Sequence, residues 1–173
     1  MEVLFFMKMS PKVVENFLSK KNYTSIYNTM SDEYFPWYYN NYKVKEVSNK
    51  LFHYQFTHVF FENNKINSSY FTILQSLLKK LKLKTLKKVK ANLNPISDKL
   101  IEFSEHQDAF KELQCTSMIY YLNTNNGYTK IKNKKIKSKA NKAVFFPSHT
   151  FHFGTNSTDC NNRMVINIIY KEH

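Results

Sequence analysis

The segment Ser104-Glu105-His106-Gln107-Asp108 sets a histidine and an aspartate two residues apart. In an extended backbone residues i and i+2 point to the same side, so His106 and Asp108 can reach one ion together while Gln107 faces away. A second histidine from elsewhere in the fold would complete a 2-His-1-carboxylate set, which holds a non-haem Fe(II) on one face and leaves the opposite positions open for substrate and O₂. His149 and His152 are the candidates for that third ligand. They stand three residues apart and so share no strand face. Arg163, the only arginine of the chain, follows shortly after them.

The surrounding residues must supply two facing layers for such ligands to converge. The run Cys115–Asn123 reads as a strand. Asn125-Asn126-Gly127 is a strong hairpin signal between alternating segments. Val144-Phe145-Phe146-Pro147 and Met164–Tyr170 read as buried strands. In Lys130–Lys142 the lysines crowd around Ile131 and Ile136, and Asn133 offers a turn. This predicts two short edge strands whose charge protects them from aggregation.

Upstream, Met1–Met9 reads as an opening strand. Ser10-Pro11 reads as a helix start, with Val13, Val14, Phe17 and Leu18 on one face of a helix over residues 11–20. Asp32–Tyr39 is rich in aromatics around Pro36 and reads as a loop packed on the core or walling a pocket. Phe52–Phe61 alternates imperfectly; its His53 and His58 have no carboxylate two residues away and read as simply packed or exposed side chains rather than ligands. Ser68-Ser69 caps a second helix over about 69–84, with Phe71, Leu74, Leu77, Leu78 and Leu81 at helical spacing and a solvated lysine face. Leu86, Val89, Ala91 and Leu93 are the apolar positions of a strand over Leu86–Leu93. The expected class is mainly β with flanking helices (α+β).

With 173 residues the chain is expected to form one domain. The aromatic share of 16% argues against disorder. A formal net charge of +13 makes a nucleic-acid partner possible. The excess is almost all lysine, alongside abundant Asn, Ile, Tyr and Phe, as an AT-rich genome would encode. Cys115 and Cys160 make neither a disulfide framework nor a zinc pattern, which suits reduced thiols in a cytoplasmic setting. No stretch is apolar for long enough to span a bilayer, so no membrane partner is expected.

As a set these motifs resemble the Fe(II)/2-oxoglutarate-dependent oxygenase superfamily, specifically its small prolyl-4-hydroxylase-like branch from phages and bacteria. The similar segments are His106-x-Asp108, Ile119–Asn123, Phe146-Pro147-Ser148 running to His152-Phe153-Gly154, and Arg163 opening the last strand. Lys90-Ala91-Asn92-Leu93 is similar to the strand before the metal motif, and Phe35-Pro36-Trp37-Tyr38 to an N-terminal landmark. The resemblance implies a double-stranded β-helix of the jelly-roll or cupin type. It divides the single oxygenase domain into N-terminal helices and supporting strands (1–95) and a metal- and cosubstrate-binding β core (96–173).

The resemblance further implies His106, Asp108 and His152 as catalytic metal ligands, His152 being preferred to His149 for its distance to Arg163. Arg163 would take the distal carboxylate of 2-oxoglutarate, and the Tyr121 hydroxyl would help. Asn94 stands where relatives often carry a tyrosine; with Asn92 it shares a strand parity that faces the cosubstrate. Trp37 is a candidate substrate wall. The implied reaction uses Fe(II), 2-oxoglutarate and O₂ to hydroxylate a C–H bond, with prolyl or other peptidyl residues as the default substrate and a small molecule or nucleic acid as others. Two alternatives stay open: a basic nucleic-acid-binding or nucleic-acid-modifying protein, and a jelly-roll metal protein that does not use 2-oxoglutarate.

Overall fold

A computed structural model describes residues 10–42 and 54–173. The expected strand over Met1–Met9, the start of the Phe52–Phe61 run and His53 lie outside the described residues. Among the described residues eleven strands and two α-helices follow in order: β1 (Lys12–Val14), α1 (Lys20–Ser31), β2 (Tyr38–Asn40), β3 (Gln55–Glu62), β4 (Lys65–Ile66), α2 (Gln75–Leu78), β5 (Leu83–Pro95), β6 (Thr116–Tyr121), β7 (Tyr128–Ile131), β8 (Lys134–Lys137), β9 (Lys142–Pro147), β10 (His152–Gly154) and β11 (Asn162–Glu172). The larger sheet has the order β1-β9-β6-β11-β5-β3-β2, with β4 paired to β3. The smaller has the order β10-β7-β8. This is the double-stranded β-helix core. No described helix is long and apolar enough to cross a membrane.

Strand alternation gives the large sheet two different faces. On β11, Met164, Ile166, Ile168 and Tyr170 join Val89 and Ala91 of β5 and Met118 and Tyr120 of β6 in a cluster that also buries Ile26 and Met30 of α1 and Leu77 of α2. The opposite face packs Ile119, Tyr121 and Val165 against Ile131 and Ile136 of the small sheet. That inner face also carries the polar residues Lys90, Asn92 and Asn94 of β5, and Arg163 and Asn167 of β11. The register sets Arg163 opposite Asn94 and Asn167 opposite Lys90. Buried strand positions in such a sheet are ordinarily apolar, so a polar inner face marks a site.

Three expectations need correction. Residues 11–20 are not a helix: Val13 and Val14 pair with Val144 and Ala143 on β9. Branched side chains favour a strand there, and Asn16 then turns the chain at φ 49°. The helix begins instead after Ser19, whose hydroxyl accepts from the Asn22 amide. The second helix is also shorter. After Ser68, whose hydroxyl accepts from the Tyr70 amide, a 3₁₀ segment (Ser69–Leu74) leads into α2. The chain is already strand from Leu83, because β5 pairs with β11 as far as Glu172.

The third correction concerns Asn125-Asn126-Gly127, which does not close a hairpin. β6 pairs with β9 and β11, whereas β7 pairs with β8 and β10, so the segment crosses from one sheet to the other. Gly127 does not adopt a positive φ. It is small for another reason: a Cβ there would collide with the Asn156 carbonyl and lie 2.7 Å from Arg163 Cδ. The hairpin of the small sheet is β7–β8, turning at Lys132-Asn133 as the Asn133 signal indicated.

His58 is a packed residue. Its Nδ1 lies 2.7 Å from the Pro36 carbonyl and its Nε2 2.7 Å from Ser68 Oγ. Burial pushes its pKa below the ordinary histidine value, and the Pro36 hydrogen bond offsets this in part. The unfolded chain therefore takes up the proton first as pH falls below about 6.5. Stability is complete above that value and decreases below it. The melting temperature should drop between neutral and mildly acidic pH, and should drop less in His58→Gln; equal slopes in both proteins would remove His58 as the cause.

Candidate active site

The segment around His106 runs beside β10. The His106 amide donates to the His152 carbonyl at 3.0 Å, and the His152 amide returns the bond to His106 at 3.0 Å. The Asp108 amide donates to the Ser148 carbonyl at 2.9 Å. This backbone pairing lays His106 and Asp108 along the strand that carries His152. Their ligating atoms lie within 4.8 Å of one another, the separation of groups that share one ion.

The proton positions also suit a metal. His106 Nδ1 is 3.1 Å from the Ser104 carbonyl, and His152 Nδ1 is 3.0 Å from the Thr150 carbonyl. A carbonyl only accepts, so each Nδ1 carries the hydrogen and each Nε2 presents a lone pair. Those Nε2 atoms face Asp108, at 3.9 Å for His106 and 3.6 Å for His152. Burial, and next the proximity of His152, push the His106 pKa below its ordinary value, which favours the neutral ring that binds metal. His149 stands apart from this group; its backbone carbonyl accepts from the Gln107 side chain.

Sequence reasoning missed the groups that hold the carboxylate. The Ser117 hydroxyl donates to Asp108 Oδ2 at 2.6 Å, and Ser148 Oγ lies 2.8 Å from Ser117 Oγ. Ser117 shares its strand parity with Ile119 and Tyr121, and a serine on that otherwise apolar face was the available signal. Partners of this kind are worth about ten- to a hundred-fold in metal affinity. Ser117→Ala should therefore weaken Mn(II) binding by about that factor in a calorimetric titration, with an unchanged circular-dichroism spectrum. Unaltered Mn(II) affinity would mean that Ser117 does not orient the ligand.

Behind the histidines lies a cavity that reaches Arg163. Its lining includes His106 and His152, Arg163 with Thr129 and Gly154 beside it, and Asn92 and Asn94 of β5. Phe103, Ile119 and Val165 are its apolar walls. Arg163 is 3% exposed. Its Nε donates to Ser138 Oγ at 2.7 Å and its Nη2 to Thr129 Oγ1 at 2.9 Å, and its guanidinium carbon lies 5.6 Å from the centre of the Tyr121 ring. No described carboxylate pairs with it. A buried charge without a counter-charge is costly, and the hydroxyl partners of Arg163 are neutral acceptors that supply no opposite charge. The cavity is therefore built for an anion.

Tyr121 is one layer below. Its hydroxyl donates to Thr129 Oγ1 at 2.9 Å, and the residue is not part of the cavity lining. Thr129 thus accepts from both Tyr121 and Arg163 and keeps its own hydrogen for the cavity. Trp37 is not at the site at all. Its Nε1 donates to the Met30 carbonyl at 3.2 Å, and its ring packs on Phe35 on the helix side of the large sheet.

Residues 98–171 match the family model described as the 2OG-Fe(II) oxygenase superfamily. The matched stretch holds His106, Asp108, His152 and Arg163. Solved structures of similar fold include three such proteins. A prolyl hydroxylase from Trichoplax adhaerens, in complex with a hypoxia inducible factor oxygen degradation domain peptide fragment, is 16% identical, with 94% of this chain and 83% of that one covered and a TM-score of 0.63. A prolyl-4-hydroxylase from Pseudomonas putida is 13% identical, with 94% and 92% covered and a TM-score of 0.58. The non-heme alpha ketoglutarate dependent epimerase SnoN from nogalamycin biosynthesis is 11% identical, with 94% and 77% covered and a TM-score of 0.62. A comparison with curated proteins found no significant match.

Proposed function

We propose that the chain hydroxylates a C–H bond of a prolyl or other peptidyl residue, with His106, Asp108 and His152 as the Fe(II) ligands and Arg163 as the anchor of 2-oxoglutarate. The observation that carries this reading is one cavity lined both by His106 and His152, whose ligating atoms converge with those of Asp108, and by a buried guanidinium with no carboxylate partner among the described residues. A dicarboxylate that chelates the metal through its keto-acid head would reach Arg163 with its tail. The prolyl hydroxylases among the similar structures support a peptidyl substrate.

When bound, Fe(II) and 2-oxoglutarate supply the oxidation: one oxygen of O₂ enters succinate as CO₂ leaves, and the other enters the substrate C–H bond. The chain supplies position. Asp108, held by Ser117, would supply the one negatively charged ligand to the Fe(II). Arg163, stacked on Tyr121 and fixed by Ser138 and Thr129, meets the distal carboxylate with the edge of its fork that remains free. Asn92 and Asn94 offer amides along the way. Phe103, Ile119 and Val165 keep water away from the reacting end.

The test is turnover. Protein loaded with Fe(II) should convert 2-oxoglutarate to succinate with consumption of O₂, and should add one oxygen to proline-containing peptides detectable by mass spectrometry. No succinate above the protein-free rate, with Fe(II) shown to be bound, would refute the reading.

A further inference from the structure

We propose that Lys90 is a second cation of the cosubstrate site, facing the metal-proximal carboxylate of the keto acid, with the Asn92 and Asn167 amides beside it, while Arg163 takes the distal one. This rests on the cosubstrate reading above and extends it to a residue that the motifs do not mark. Lys90 lines the same cavity as His106 and Arg163. It sits on the inner face of β5, directly opposite Asn167 of β11.

The spacing fits a dicarboxylate. Arg163 is opposite Asn94, and Lys90 is four residues further along β5. At about 3.3 Å per residue the two cations start roughly 13 Å apart along the strands. A five-carbon chain with a charge-assisted hydrogen bond of about 2.8 Å at each end spans a distance of that order. The metal end is the Lys90 end: Lys90 and His106 line the same cavity, and the Asp108 carboxylate lies near enough to act on the Lys90 ammonium.

Two further observations suit an anionic ligand in this corner. Lys88, next on the same face, pairs with Glu62, whereas no described residue gives Lys90 a hydrogen bond or an ion pair. The side-chain oxygens of Asn92 and Asn167 are the buried side-chain polar atoms without a hydrogen-bond partner among the described residues. Both asparagines line the cavity. An amide can turn either end toward a ligand, so together with Lys90 they form a donor-rich patch that a carboxylate would satisfy.

The experiment uses the whole chain loaded with Mn(II), which does not turn over, and titrates it calorimetrically with 2-oxoglutarate, oxalate and glutarate. Oxalate stands for the keto-acid head and glutarate for the distal tail. Lys90→Met should weaken 2-oxoglutarate and oxalate by about ten-fold or more, leave glutarate unchanged, and leave Mn(II) affinity and circular dichroism as in the wild type. Lys90→Arg, which keeps the charge, should restore most of the oxalate affinity. Arg163→Lys should show the opposite pattern, with glutarate weakened and oxalate unaffected. If wild-type protein binds 2-oxoglutarate but both Lys90 variants bind oxalate as it does, Lys90 has no such contact and only this proposal falls. If Mn(II)-loaded wild type takes up no 2-oxoglutarate, the cosubstrate reading falls as well.

Discussion

Asp108→Ala should abolish Fe(II) binding and turnover together. The variant removes the one negative ligand and leaves two neutral histidines, so the loss should exceed the ten- to hundred-fold expected for Ser117→Ala, about the range of a change to a supporting group. The fold should survive, because Asp108 is anchored through its amide to the Ser148 carbonyl and alanine keeps that bond. His149→Ala is the matched control. His149 contributes a backbone carbonyl to Gln107 rather than a ring to the ligand group, so its variant should keep metal and turnover. Anaerobic Fe(II) titration and a succinate assay on both proteins decide the matter. Undiminished Fe(II) affinity in Asp108→Ala would eliminate the triad.

The second large effect belongs to Arg163→Lys, although charge is kept. The structure explains why an ammonium cannot substitute. Arg163 uses Nε on Ser138 and Nη2 on Thr129 while its plane lies over Tyr121. A planar fork serves these partners and a carboxylate at the same time; a single point charge on a shorter reach cannot. Losing a charge-assisted contact costs on the order of 1.5–3 kcal/mol, or about ten- to a hundred-fold in affinity. The requirement for 2-oxoglutarate should rise by that factor, while Fe(II) affinity without cosubstrate stays near wild type. His152→Ala should show the opposite order of damage, with metal lost first. An unchanged 2-oxoglutarate dependence in Arg163→Lys would defeat the cosubstrate assignment even with the iron site intact.

The sequence made the site more legible than the scaffold. His106, Asp108 and Arg163 are readable because their chemistry is scarce: one arginine, and one H-x-D beside strand-like runs. The strands of the second half are readable because they are nearly continuous apolar runs, and Met164–Tyr170 is β11 almost to its ends. The helices were harder. Val13-Val14 and Leu83–Leu86 carry apolar spacing that a helix or a strand can use, and the choice was made by distant partners, β9 and β11. Asn125-Asn126-Gly127 misled for a related reason. Local turn chemistry does not reveal whether the chain returns to the same sheet or leaves it, and here the glycine answers to the bulk of Arg163. Ser138 and Thr129 were invisible because a hydroxyl carries no signal until its partner is known, and Ser117 showed only as a polar residue on an otherwise apolar strand face.

The reciprocal amide bonds between His106 and His152 have an evolutionary reading. They are made by backbone atoms, which are indifferent to the side chain attached, so the two segments meet whether or not a histidine stands at either place. Architecture and chemistry are therefore inherited separately in this corner of the molecule. A lineage could exchange a ligand and acquire another ion, or lose the reaction altogether and persist as a binding protein, without first having to invent a new way to close the barrel.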